Sequence, residues 1–105
     1  MNQIEIPQSF MALFLHQGRL MPGATQAAVT ERYELCEDMA DMLTEHAQTL
    51  LFDLGGTEAE VLTRCRRGLG ADAAVLSEKE ADWVISRLAE LLGWTPPGAD
   101  GTAQS

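Results

Sequence analysis

The chain of 105 residues is poor in positive charge, in cysteine and in long apolar runs. Seven Lys and Arg stand against sixteen Asp and Glu, for a net charge of −9 and a pI near 4.4. Nucleic acids and anionic membrane surfaces both need clustered positive charge, so this balance argues against either partner. The single lysine, Lys79, lies inside Ser77-Glu78-Lys79-Glu80. A phosphate-binding loop would need a lysine directly after its glycines, so that motif is missing. Two cysteines, Cys36 and Cys65, make no disulfide framework. Neither Cys-x-x-Cys nor His-x-x-x-His spacing occurs, which excludes a zinc site built from one local motif. No Gly-x-Ser-x-Gly elbow is present either. The most apolar stretch, Phe10-Met11-Ala12-Leu13-Phe14-Leu15, falls far short of the roughly 18 residues of a membrane span. It has no basic region before it and no small-residue cleavage site after it, so it does not read as a secretory signal. A cytoplasmic protein with reduced thiols is expected.

What the chain does have is helix punctuation. Thr25 is placed to cap a helix that runs without Gly or Pro to Leu54, where Gly55-Gly56 stops it. Thr57 with Glu60, and Ser77 with Glu80, have the spacing of capping boxes. Gly93 ends the last helix, and Trp94 is placed to fold back on its final turn. Before Thr25, residues 8–16 read as a short helix apolar around most of its circumference, and Gln17–Ala24 as a loop. The expectation is an all-α domain over residues 1–94 with helices near 8–16, 26–54, 58–69 and 78–93. A disordered tail over 95–105, rich in Pro, Gly and small polar residues, would follow.

At 100° per residue, the long helix gathers Val29, Cys36, Met39, Ala40, Leu43, Ala47, Leu50, Leu51 and Leu54 on one side. A rod of about 42 Å on a compact body of roughly 32 Å would overhang it, break, or be covered by a second chain. A second chain covering it, in a homodimeric helical bundle, is the expected arrangement. The opposite face carries Glu31, Glu34, Asp38, Asp41 and Glu45 at alternating threes and fours, with Glu37 at the margin. Such a row reads as a solvated face or as an acidic docking surface for a basic partner. Stacked carboxylates also suit hard divalent cations, although ligands for one must converge from several elements. The Glu-x-x-His pairs of di-metal bundles are missing here.

Arg64, Arg66 and Arg67 form the one basic cluster, in the last turns of their helix, where cations favour the negative end of the dipole. Three residues break their local pattern. Trp83 and Phe52 point away from the apolar stripes of their helices, and Arg32 points into one, where it can meet a carboxylate from another helix. Trp83 reads as covered by a neighbouring loop or terminal helix, or else as an interface anchor together with Arg87. Phe10, Phe14, Phe52, Trp83 and Arg87 are the candidate interface residues.

The segments Ile6-Pro7-Gln8-Ser9-Phe10, Glu31-Arg32-Tyr33-Glu34-Leu35-Cys36-Glu37-Asp38, Thr44-Glu45-His46-Ala47 and Arg87-Leu88-Ala89-Glu90-Leu91-Leu92-Gly93-Trp94 carry a resemblance. Across residues 4–94 the chain resembles a family of small proteobacterial proteins, some of which bear the label "ATPase with chaperone activity". That label implies nucleotide hydrolysis. Since the lysine loop is missing, the resemblance implies an accessory subunit of such a system and assigns no catalytic residue. The leading expectation is a non-enzymatic, cytoplasmic, homodimeric interaction protein with an acidic docking face and no cofactor. An ATPase or chaperone accessory and a carboxylate-type metal binder are the alternatives.

Overall fold

The computed structural model describes residues 5–70 and 75–95. Its dominant element is a helix, Gln26–Leu54, unbroken over 29 residues. The Thr25 hydroxyl accepts a hydrogen bond from the Ala28 N–H at 3.0 Å, satisfying one of the free donors of the first turn. At the other end Gly55 takes the left-handed conformation (φ 66°) and returns its N–H to the Leu51 carbonyl. A side chain there would be strained.

Two shorter helices follow, Glu58–Gly70 and Glu78–Leu92. Both open on reciprocal capping boxes. Thr57 N–H donates to Glu60 while Glu60 N–H donates back to the Thr57 hydroxyl, each at 3.1 Å. Ser77 and Glu80 repeat the exchange at 2.9 and 3.1 Å. Trp94 N–H folds back to the Ala89 carbonyl at 2.8 Å past the left-handed Gly93.

The amino-terminal segment departs from expectation. The helix read over 8–16 is a single turn, Gln8–Met11, followed by a 3-10 turn, Ala12–Phe14. Residues read as the end of that helix and the start of a loop form a small antiparallel hairpin, Leu15–His16 with Arg19–Leu20. Gln17 and Gly18, both at positive φ (55° and 81°), make the two-residue turn whose twist matches paired strands. An apolar run without period gives no warning of this change. In chain order the elements are α1 (Gln8–Met11), β1 (Leu15–His16), β2 (Arg19–Leu20), α2 (Gln26–Leu54), α3 (Glu58–Gly70) and α4 (Glu78–Leu92).

The hydrophobic core has two halves, and α4 supplies both. One half joins Phe10, Val29, Cys36, Ala40, Leu76, Trp83 and Val84. The other joins Ala47, Val61, Leu62, Cys65, Ile85, Leu88 and Ala89. The fully buried positions of α2 (Val29, Cys36, Ala40, Ala47) are small, which lets neighbouring backbones approach closely. At 1.5 Å per residue α2 is about 43 Å long, which matches the longest dimension of the molecule, 44 Å. The rod therefore sets the length of the body instead of overhanging it. Its apolar side is packed by α3, α4 and the amino-terminal segment of the same chain, so overhang is no ground for a second chain. No helix among the described residues is long and apolar enough to cross a membrane. The tail read as disordered lies, from residue 96 onward, outside the described residues.

Candidate functional site

The apolar side of α2 is held against α3 and α4, and this turns its other side to solvent. Glu31, Glu34, Asp38, Asp41 and Glu45 are all exposed. None of them takes part in an ion pair among the described residues. The row from Glu31 to Glu45 covers about 21 Å of helix. Carboxylates three and four residues apart repel one another, and each such pair costs a few tenths of a kcal/mol. Two apolar side chains border the same face. Met42 is 71% exposed and Phe52 is 87% exposed. Sequence reading singled out Phe52 but not Met42.

The other candidate interface residues are largely committed inside the protomer. Phe10 is fully buried, with its ring centroid 5.0 Å from Trp83 and 5.5 Å from Tyr33 in edge-on geometry. Trp83 is 8% exposed, and its indole N–H donates to the Ser9 hydroxyl at 3.0 Å. The off-stripe tryptophan is thus covered by the terminal segment. Phe14 is half-buried and packs on Phe10. Arg87 forks onto Glu37, with its Nε and one terminal nitrogen 2.9–3.1 Å from the carboxylate. It also reaches Glu90 at 3.0 Å. These bonds raise the Arg87 pKa above the usual arginine value. They also explain why Glu37, at the margin of the acidic row, turns inward while its neighbours do not.

Arg32 meets the carboxylate its position called for. Its Nε and a terminal nitrogen hold Glu80 at 2.8 and 2.7 Å, and it also donates to the Val75 carbonyl at 2.6 Å. Burial pushes the Glu80 carboxyl up, but hydrogen bonds from Arg32 and Ser77 outweigh it and hold the pKa below the ordinary value. Beside this pair, burial pushes the Cys36 thiol up to about 12. Cys65 is raised in the same way. Both cysteines are buried, whereas His16 and His46 are exposed, so the two residue types form no nucleophile–base pair here. Among the described residues no three His, Cys, Asp or Glu side chains converge to hold a metal ion.

The basic cluster divides. Arg66 pairs with Asp82 at 2.6 Å, while Arg64 and Arg67 stay exposed and make no ion pair among the described residues. Together with Leu54, Thr63 and Glu60 they line an open cleft of about 360 Å³ between the end of α2 and the outer face of α3. The Glu60 carboxylate accepts the capping bond from Thr57 N–H. Sequence reading missed this cleft, because Leu54 belongs to one helix and the arginines to the next. Comparison of the chain with family models, with curated proteins and with solved structures finds no match in any of the three.

Proposed function

We propose that this chain is a non-enzymatic protein-interaction module that docks a basic partner surface on the outer face of α2. The observation that carries the reading is the row Glu31, Glu34, Asp38, Asp41 and Glu45, exposed and in no ion pair among the described residues, bordered by the bare Met42 and Phe52. Exposed charge pairs contribute little each, so charge supplies orientation and encounter rate. The two apolar side chains supply the part of an interface that usually dominates affinity. One unbroken helix offers a partner a regularly spaced ladder of side chains, which suits a second helix or an extended basic segment.

The test is calorimetric titration of the full chain with a synthetic basic amphipathic helical peptide at low and high salt. Binding should weaken with salt and should fall at least roughly tenfold, about 1.4 kcal/mol, in Asp38→Lys/Glu45→Lys and in Phe52→Ala. Equal binding by the charge-reversed chain, or no binding at low salt, overturns the reading.

A further inference from the structure

We infer that one occupant of the acidic face is a second copy of this chain, presenting its Arg64–Arg67 cleft. The inference rests on the docking face proposed above and supplies its partner. Both halves of the contact are in the same sequence. On α2 the exposed Met42 stands between Asp38, four residues before it, and Glu45, three residues after it. On α3 the exposed Arg64 and Arg67 flank a cleft whose apolar lining comes from Leu54. A methionine seated there would bring carboxylates within reach of guanidinium groups on long, mobile stems. The thioether is also the side chain best able to adapt to an irregular recess.

The chain cannot close this contact on itself. α3 packs against the apolar side of α2 through Val61, Leu62 and Cys65, and the acidic row points away from it. Pairing α2 with α2 about a two-fold axis through their outer faces is also disfavoured, since it would lay one anionic row on another. What remains is a head-to-tail contact, in which row and cleft lie on different sides of the molecule. Such contacts propagate into rings or open chains. They are also sensitive to salt, because the molecules approaching one another each carry a net charge of −9.

The experiment is sedimentation equilibrium of the full chain across a wide concentration range, with two charge-reversed variants. Every altered residue is exposed, so the fold is kept, and far-UV circular dichroism verifies this. The wild type should associate reversibly. Asp38→Arg/Glu45→Arg alone and Arg64→Glu/Arg67→Glu alone should each associate at least roughly tenfold more weakly. Mixing the two variants should restore association, because each row then faces a cleft of opposite sign. A wild type that stays monomeric throughout, or variants that associate as the wild type does, overturns the inference. If the chain stays monomeric yet still binds the basic peptide through α2, this inference fails and the docking-face reading stands. If it does neither, both fail.

Discussion

Replacing Glu80 with glutamine keeps the shape of the side chain and removes its charge. Glu80 is 4% exposed and accepts from Arg32 Nε, from an Arg32 terminal nitrogen and from Ser77 N–H. Its Oε1 accepts from both the Arg32 terminal nitrogen and Ser77 N–H while Oε2 accepts from Arg32 Nε, so in either orientation the glutamine amide NH2 faces a guanidinium N–H, donor against donor. Breaking a fully buried ion pair costs about 3–5 kcal/mol, and breaking an exposed one costs about 0.2–1 kcal/mol. The Arg32 side chain is 35% exposed, so water recovers part of the loss, and about 2 kcal/mol is expected. In a domain of this size that lowers Tm by roughly 8–16 °C. Urea unfolding of wild type, Glu80→Gln, Arg32→Met and the double variant measures the coupling between the two residues. A loss within about 0.5 kcal/mol for Glu80→Gln, the scatter of an ordinary surface change, refutes the reasoning. The pH dependence has a definite sign. Glu80 has a lowered pKa in the folded chain, so its contribution is full above the free carboxylate value near 4.3. It is lost as the pH falls through the native value. The stability gap between wild type and Glu80→Gln should therefore be widest at neutral pH and close under acid.

Three further outcomes are expected. Phe10→Ala should cost about 3–5 kcal/mol in denaturant melts, since the ring is fully buried against Tyr33 and Trp83; a cost below about 1 kcal/mol would show that the terminal segment is not part of the core. Cys36, buried with its thiol near 12, should resist a thiol reagent at mildly alkaline pH until the chain unfolds, and rapid labelling of the native chain would contradict its placement. Phe52→Ser should leave stability within about 0.5 kcal/mol, because the ring is 87% exposed, while weakening peptide docking; a large loss of stability would mean the ring is covered.

The helical frame was legible because its signals are local. Thr25, Thr57 with Glu60, and Ser77 with Glu80 stand within one turn of the groups they satisfy, so spacing alone locates them. The glycines that end α2 and α4 act equally close to home. The hairpin after Phe14 was not legible, because Phe10 to Leu15 are apolar at every position and carry no period to separate helix from strand. For Arg32, its presence on an apolar stripe signalled a partner without saying which of many carboxylates it was. The partner of Arg87 was not legible, because Glu37, fifty positions earlier, lies at the margin of a row of carboxylates that stay in solvent. Only the packing angle of α2 on α4 distinguishes the one that turns inward. Trp83 reads from sequence as covered by a loop or terminal helix or else as an anchor, since an aromatic outside a stripe looks alike whether a partner covers it or the chain's own terminus does; here the terminal segment covers it.

The Glu80 carboxylate has two duties. It completes the first turn of α4 by accepting Ser77 N–H, and it grips Arg32 on α2. Local helix initiation and the docking of two distant segments thus depend on one group. The start of α4 cannot fray without loosening its hold on the long rod, and withdrawal of Arg32 would free the carboxylate that caps the turn. Such sharing makes unfolding cooperative at this corner, so the Ser77 and Glu80 amide protons, both held in the capping box, should exchange together with those of α2 around Arg32 and not earlier.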